Sequence, residues 1–341
     1  GGVDETGATW SAGQHFDLNM SEIFFETLDL PKPKYHLGIA GLSHGSMTGE
    51  MIKSLEKVLE IEKPQIVLIF GDTNTTLAAC ISASKLFIPV AHVESGLRSF
   101  NMNQPEEINR IVADRLSHFL FCPTTTSFDN LIKEGFPFKQ QIFKNQIISV
   151  VGDVMYDIVL HFFNRLTAES SAIRWGLKEN QFALCTIHRQ ENTENLEIMK
   201  NILEALNEIS YTLQVVMPIH PRTRKVIERY KLSKLLERIK IIDPVNYFEM
   251  QALQKGAKVI LTDSGGIQKE AFFHKVPCLT LRKETEWTET IDLGANILVG
   301  TERDSIISSF ENINAFPNIK INPFGDGTAA KKIVRELIEI L

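Results

Sequence analysis

Short apolar runs alternate along this chain with small polar loops and with longer stretches whose apolar positions have helical spacing. Runs rich in β-branched and aromatic residues predict strands at 65–71, 89–93, 118–121, 148–151, 182–187, 213–218, 239–242, 258–262 and 277–281. Helical spacing predicts helices near 75–86, from Pro105, near 125–134, between the later strands, and at 327–341. The chain therefore follows a repeated βαβ rhythm.

This rhythm predicts an α/β protein, because parallel strands need helical crossovers to connect them. A polar stretch near 166–180 interrupts the rhythm, which then restarts. We expect two doubly wound, Rossmann-like domains with parallel sheets, at 1–165 and 166–325, followed by a C-terminal helix at 326–341. A length of 341 residues fits two domains of roughly 150 residues each.

Composition excludes several classes of protein. No apolar stretch reaches the ~20 residues of a membrane-spanning helix, and the net charge of −6 argues against a nucleic-acid-binding surface. The first thirty residues lack the pattern of a secretory signal. The cysteines form no CxxC pair and lie in apolar runs, at Cys80, Cys122, Cys185 and Cys278. We expect buried free thiols and a cytoplasmic protein without membrane or nucleic-acid partners.

Polar clusters follow several of the predicted strands. They contain Asp72, Glu94, His188, His220 and Ser264. In open α/β sheets, ligands bind beyond the carboxyl ends of the strands. If the two domains face each other, these clusters meet in one cleft, which is where we expect the functional site.

The segment TDSGGIQKE, at 262–270, combines a strand end, a helix cap and two glycines. Ser264 can cap the helix, and Gly265 and Gly266 would let a ligand approach the backbone where helix N–H groups favour phosphate. Glu270 could accept hydrogen bonds from ribose hydroxyls. The alternative is a plain N-cap with a tight turn. The motif is neither GxGxxG nor a Walker loop.

Carboxylates form a second set, which contains Asp72, Glu94, and Glu106 with its neighbour Glu107. Several acids in one cleft would have separated pKa values, which suits acid/base chemistry. Arg98 and Arg110 are nearby counter-charges. The structural alternatives are an exposed Glu106–Arg110 ion pair one helical turn apart, and a Glu94 that only pairs with Arg98 or His92.

The segments TIHRQEN and PIHPRTR place a third set at strand ends, namely His188, Arg189, Asn192 and His220. Two histidines could be metal ligands, but their spacing matches no zinc pattern and HExxH is absent. We therefore expect an anionic ligand and no metal.

Taken together, these motifs resemble one family. GDTNTTLAA, IPVAHVESGLRSFN, PEEINRIVADRLSHFLFCPT, TIHRQEN, PIHPRTR and TDSGGIQKEA, in this order and spacing, resemble the non-hydrolysing UDP-N-acetylglucosamine 2-epimerases from about Gly13 to the end of the chain. The resemblance implies a GT-B-like fold of two domains, an active site in the cleft, and a homodimer. It also implies inversion at C2 of a UDP-amino sugar through elimination of UDP to a glycal and its re-addition, without a cofactor, supplying precursors of cell-surface polysaccharides.

The resemblance also implies roles for individual residues. Asp72, Glu94 and Glu106 match the acids of proton transfer at C2, and His188 matches the histidine beside the leaving diphosphate. Diphosphate contacts match Ser264, Gly265, Gly266 and Arg282, and the ribose contact matches Glu270. The substrate-binding set also includes His220, Arg189 and Asn192. Gln14 and His220 match a regulatory second nucleotide site.

The chain departs from the family pattern at several places, one of which is Met250 in NYFEM, where an aromatic residue is common. The family has an earlier strand and a GTRPE-like loop, but only GGVDETGATWSA precedes GQHFD here, so we expect that strand to be absent. Asp17 stands where the regulatory motif often has a second Gln. Trp287, in ETEW, replaces the arginine of TERPE and resembles members that act on UDP-2,3-diacetamido-glucuronic acid. A GT-B glycosyltransferase and a non-catalytic module that binds nucleotide sugars are the alternatives from other classes.

Overall fold

The structure is a computed structural model, and it describes residues 9–11, 32–139, 145–168 and 175–340. The chain divides into two compact units. The first contains the chain through Val154 together with Phe324–Leu341, and the second is Met155–Pro323. The boundary expected at residue 165 falls inside the helix Val154–Ala168.

The first unit contains strands β1–β6, namely Trp10–Ser11, Tyr35–His36, Val67–Phe70, Val90–Val93, Phe119–Cys122 and Ile147–Val150. Its helices α1–α4 are His44–Glu62, Asn74–Lys85, Pro105–Leu116 and Thr125–Lys133. Strands β3 to β6 form a parallel sheet in sequence order, while β1 and β2 pair separately and in parallel. The short β1 lies in the segment before GQHFD, where no strand pattern was expected.

Alternating residues of this sheet pack on opposite faces, as the period of two requires. Val90 packs with α1 and α2, whereas its neighbour Ala91 packs on the other face. That second face also contacts Ile333 of the C-terminal helix, Ala329–Ile340. The predicted terminal helix is therefore confirmed, and it covers the sheet of the first unit.

The second unit contains strands β7–β12, namely Phe182–Thr186, Gln214–Pro218, Lys240–Ile242, Val259–Thr262, Cys278–Thr280 and Asn296–Leu298. Its helices α5–α12 are Val154–Ala168, Gln190–Thr193, Leu196–Ile209, Pro221–Arg229, Tyr247–Gly256, Gly265–Phe273, Thr288–Asp292 and Arg303–Glu311, and the C-terminal helix is α13. A 3₁₀ turn spans Ser233–Leu236.

The sheet of the second unit has the order β12-β11-β10-β7-β8-β9, and all its neighbours are parallel. The first strand, β7, lies in the middle, and the chain runs outward from it first on one side and then on the other. The point where this order reverses, between β7 and β10, is where doubly wound folds bind ligands. The predicted α/β fold class is confirmed, and β12 is the strand of this sheet that the apolar pattern missed.

The cysteines are buried and free, as predicted. Burial raises the pKa of Cys80, Cys122 and Cys278 to about 12, so these thiols stay protonated at neutral pH. Among the described helices, none combines the length and apolar character needed to cross a membrane.

Candidate active site

A buried carboxylate, Asp263, occupies the point between β7 and β10 where the strand order reverses. It follows β10 and accepts hydrogen bonds from the backbone N–H groups of His188 (3.1 Å) and Arg189 (3.0 Å) at the end of β7. The amide of Asn192, in the short helix α6, donates to it at 3.1 Å and to the carbonyl of Leu281 at 3.2 Å. Three neighbouring strand ends are thus tied together.

Three predicted site residues, His188, Arg189 and Asn192, therefore lie together around Asp263. The His188 ring places Nδ1 3.1 Å from a carboxylate oxygen of Asp263, and its side chain is 56% exposed. Arg189 donates from Nε to the backbone carbonyl of Asp263 at 3.1 Å. Burial alone would raise the pKa of Asp263, but the bonds from His188 and Arg189 outweigh it and hold that pKa below its ordinary value.

Helix α10 begins directly after this carboxylate. Ser264 is its N-cap and accepts from the Ile267 N–H at 3.4 Å, as predicted from SGG. Gly266 is exposed, and a Cβ there would meet no atom closer than 3.9 Å. A Cβ at Gly265 would lie 2.1 Å from Oε1 of Glu286. The space beside Gly266 is open, whereas a Cβ at Gly265 would require the Glu286 carboxylate to move.

Arg282 is paired with the same Glu286. Its Nη1 donates to Glu286 Oε2 at 3.1 Å, and the residue is only 4% exposed. Its Nε and Nη2 are buried and have no hydrogen-bond partner among the described residues. Because buried guanidinium donors are rarely left unsatisfied, these two atoms indicate a place for an anionic ligand.

Glu270 and His220 are the remaining candidates of the second unit. Glu270, on α10, is buried and accepts from Gln254 Nε2 at 2.7 Å. His220 is exposed and follows β8 at the carboxyl edge of the sheet, the edge on which His188 follows β7. The regulatory candidate Gln14 lies outside the described residues.

In the first unit, Asp72 lies at the carboxyl end of β3 and pairs with Arg110. Asp72 Oδ2 is 2.5 Å from Arg110 Nη1, and the Asp72 side chain is 31% exposed. Arg110 also binds Glu107 at 2.6 Å. The Asp72 carbonyl accepts from Asn109 Nδ2 at 2.8 Å. Helix α3 therefore fixes both the backbone and the carboxylate of Asp72.

The carboxylate of Glu107 is bound by groups of the protein and has a structural role. It is buried and accepts hydrogen bonds from the N–H groups of Ser99 (2.9 Å) and Phe100 (3.0 Å). Burial alone would raise the pKa of Glu107, but the bonds from Ser99 and Arg110 outweigh it and lower that pKa. Glu107 thus holds the loop that leads into α3.

Glu94 is half-buried at the end of β4 and has a left-handed backbone, with φ of 76°. Such a conformation costs a residue other than glycine about 1–3 kcal/mol and is found most often at functional sites. Its Oε2 lies beside Gly71, 3.4 Å from where a Cβ of that residue would be. Glu94 and Asp72 are thus carried by the ends of adjacent strands.

The structural alternative for Glu94 was an ion pair with Arg98 or His92, and both of these side chains have other hydrogen-bond partners. Arg98 pairs with Asp114 at 2.7 Å and with Glu134 at 2.7 Å. His92 bonds Asp114 through Nδ1 at 2.7 Å and the Gly71 carbonyl through Nε2 at 2.8 Å. The hydrogen bonds of both side chains therefore go to groups other than Glu94, whose carboxylate acts on His92 only through its charge.

Glu106 lies in the first turn of α3 and is half-buried. The alternative of an ion pair with Arg110 is also wrong, because Arg110 turns to Glu107 and Asp72. Within the described parts of the chain, no hydrogen bond or ion pair engages the Glu106 carboxylate. The described residues also contain no cluster of three or more metal-ligating side chains.

Two buried carboxylates, Asp263 and Asp114, were not among the residues that the sequence predicted for the site. Asp263 immediately precedes Ser264, so the signal was an acid between a strand and a helix cap. Asp114 stands within the amphipathic helix α3, where an acid ordinarily faces solvent. In the structure Asp114 is fully buried, since the helix packs this residue against His92 of β4. The sequence of the helix alone does not contain that information.

The second unit is a doubly wound α/β fold with polar groups gathered at its reversal point. A family model described as UDP-N-acetylglucosamine 2-epimerase matches residues 8–338. The chain belongs to this family, and the resemblance found in the sequence is confirmed. The relatives are named as epimerases, which are isomerases.

Individual relatives cover most of the chain. The UDP-2,3-diacetamido-2,3-dideoxy-D-glucuronate 2-epimerase of Pseudomonas aeruginosa is 52% identical over 87% of this chain and 81% of its own. The structure is similar to that of the Methanocaldococcus jannaschii UDP-GlcNAc 2-epimerase in complex with UDP-GlcNAc and UDP, with 45% identity, a TM-score of 0.86, and coverage of 96% of this chain and 90% of that one. The Neisseria meningitidis UDP-GlcNAc 2-epimerase bound to UDP-GlcNAc gives 34% identity and a TM-score of 0.84 over 96% and 90% of the two chains.

Proposed function

We propose that this chain epimerises a UDP-2-acetamido sugar at C2 by eliminating UDP to form a glycal and then adding UDP back. The observation that carries the proposal is Arg282, which is paired with the glutamate beside the first turn of α10 and whose buried Nε and Nη2 have no hydrogen-bond partner in the described parts of the chain. A helix N-terminus beside an unsatisfied guanidinium is suited to a diphosphate.

The chemistry explains why acids and a phosphate site are needed together. C2 of the sugar adjoins an acetal carbon and not a carbonyl, so its proton is weakly acidic. In the proposed elimination, a carboxylate removes the C2 proton while the C1–O bond to UDP breaks, giving a C1=C2 double bond. Re-addition of UDP to C1, with proton delivery to the opposite face of C2, completes a redox-neutral isomerisation.

The groups of the second unit would hold the leaving group. Arg282 and the N–H groups at the start of α10, next to Ser264 and the open Gly266, would bind the diphosphate. His188 would stabilise the charge that develops as the C1–O bond breaks. Arg189 and Asn192 would shape this site, and Glu270 would contact the ribose.

The acids of the first unit would move the proton. Asp72, Glu94 and Glu106 are the three proposed acid/base residues, and each of them is at least partly accessible. Arg110 would keep Asp72 ionised. One carboxylate must accept a proton from C2 while another carboxyl group donates one. The different environments of these three residues support this assignment.

A second substrate, UDP-2,3-diacetamido-2,3-dideoxyglucuronate, is favoured by two observations. The Pseudomonas aeruginosa relative of that name is 52% identical, and Trp287 replaces the arginine expected in TERPE. Either product would serve as a precursor of surface polysaccharides. The homodimer, the cytoplasmic location and the regulatory site with Gln14 and His220 stay predictions from the sequence.

Incubation with each of the two UDP-sugars, followed by NMR of the C2 configuration, tests the proposal. We expect one of them to give a mixture of C2 epimers without an acceptor. Transfer of the sugar to an acceptor, without C2 inversion, would instead identify a glycosyltransferase. Binding of UDP with neither product would identify a binding module and refute the proposal.

A further inference from the structure

The buried carboxylate of Asp263 makes several contacts with the segment that contains His188. It accepts two backbone N–H groups and the Asn192 amide, and it also lies 3.1 Å from the ring nitrogen Nδ1 of His188. Asp263 has no exposed surface, while the His188 side chain is 56% exposed. One side of the imidazole is thus held by the protein and much of the rest is accessible.

The chemistry of this contact determines where the His188 proton lies. An ionised carboxylate only accepts hydrogen bonds, so the ring nitrogen that faces it must carry the hydrogen. Asp263 stays ionised, because hydrogen bonds from His188 and Arg189 lower its pKa despite burial. The neutral ring is therefore the Nδ1–H tautomer, and Nε2 is the atom that can take up or release a proton.

We propose that Asp263 is a positioning residue for His188. It fixes the imidazole in the Nδ1–H tautomer, sets the ring direction through the backbone N–H groups of His188 and Arg189, and stabilises the imidazolium once Nε2 is protonated. The inference rests on the proposed function, in which His188 faces the leaving diphosphate. Asp263 was not among the site residues that the sequence predicted.

The isosteric change Asp263→Asn separates positioning from a purely structural role. The amide oxygen can still accept a backbone N–H group, so the contact between the segments that follow β7 and β10 is kept. The amide NH₂ would then face Nδ1 as a donor, which forces Nδ1 to become an acceptor and moves the hydrogen to Nε2. A change in tautomer is a result that loss of rigidity alone would not produce.

The first measurement is ¹⁵N NMR of the whole chain with labelled histidine, at a pH where the ring is neutral. The His188 signals are assigned by their loss in His188→Gln. We expect the Nδ1–H tautomer in the wild-type chain and the Nε2–H tautomer in Asp263→Asn. An Nε2–H tautomer in the wild-type chain would overturn the proposal, even if the variant failed to fold.

The second measurement is a double-variant cycle on epimerase turnover. We expect Asp263→Asn to lower turnover by about 10²-fold, and the double variant with His188→Gln to be no slower than His188→Gln alone. A further fall of the full factor in the double variant would show that Asp263 acts independently of His188, which contradicts the proposal. Absence of any epimerase activity would refute the proposed function, but the NMR result on Asp263 would stand by itself.

Discussion

At the scale of single side chains, Glu94 combines a left-handed backbone with a half-buried carboxylate at a strand end. We predict that Glu94→Gln lowers turnover by about 10²–10⁴-fold, because the amide keeps the shape but cannot transfer the proton. UDP affinity should change little, since its proposed contacts lie in the second unit. Turnover, UDP affinity by calorimetry and melting temperature are measured on one preparation.

Glu60→Gln is the matched control, because Glu60 is an exposed acid of the same unit and the charge change is identical. We expect wild-type turnover from it. A folded Glu94→Gln protein with near-normal turnover would contradict the assignment, and a lowered melting temperature with normal turnover per folded molecule would make Glu94 a structural residue.

Residues at strand ends could be predicted from the sequence, whereas their buried partners could not. Asp72 and Glu94 directly follow apolar runs, and this local signal places them at the edge of a sheet. Asp263 depends on β7 and β10 being neighbours, although 71 residues separate Asn192 from Asp263. Which strands become neighbours depends on how the crossovers pack, and the apolar pattern of each strand does not contain that information.

At the scale of an element, the first turn of α10 offers a matched pair of glycines. A methyl group at Gly265 would meet Glu286, which is held by buried Arg282, whereas one at Gly266 has space. We predict that Gly265→Ala destabilises the chain by about 1–3 kcal/mol, as overpacking does. Gly266→Ala should leave the melting temperature unchanged but weaken UDP binding, because the ligand would approach this backbone closely.

Thermal unfolding and UDP titration of both variants measure these effects. The ligand assignment of α10 is wrong if Gly266→Ala binds UDP as tightly as the wild-type chain. The packing argument is wrong if Gly265→Ala and Gly266→Ala melt at the same temperature.

Strands were predicted well where they consist of an apolar run that is buried on both faces of the sheet. Strands β7 and β10 are fully buried, and their runs of β-branched and aromatic residues stand out in the sequence. Strand β12 spans only Asn296–Leu298 and two of its residues are exposed, so no apolar pattern marks it. Strand β12 is recognised only by its parallel pairing with β11 in the structure.

At the scale of the whole molecule, a buried histidine and a half-buried one with opposite pKa shifts give the free energy of unfolding a pH dependence. Burial alone would lower the pKa of His92, but the bonds to Asp114 and the Gly71 carbonyl outweigh it, so that pKa is raised. Burial lowers the pKa of His118, whose Nδ1 accepts the Val90 N–H at 3.3 Å. His92 thus stabilises the fold as a cation and His118 as a neutral ring.

The signs of the two contributions are opposite. The stabilisation from His92 is complete below the unfolded pKa of about 6.5 and is lost as pH rises through the raised folded value. That from His118 is complete above about pH 6.5 and is lost as pH falls toward the lowered value. We predict that His92→Gln removes part of the stability loss as pH rises above about 6.5, and that His118→Gln removes part of the loss as pH falls below about 6.5. Urea midpoints on both sides of this pH measure both, and parallel pH profiles for the two variants would contradict the assignment.

The proposed reaction uses groups from both units in one turnover, so its most direct test follows the substrate hydrogen. If one carboxylate removes the C2 proton and another returns a proton to the opposite face, the returned proton comes from a group that exchanges with water. We predict that epimerisation in D₂O places deuterium at C2 of the product, as seen by NMR and mass spectrometry. Glu94→Gln should lower deuterium incorporation and epimerisation by the same factor, because both need the same proton transfer. Full retention of the original hydrogen at C2 in the epimerised product would rule out the scheme with two acids, since that outcome requires the same hydrogen to leave one face and return to the other.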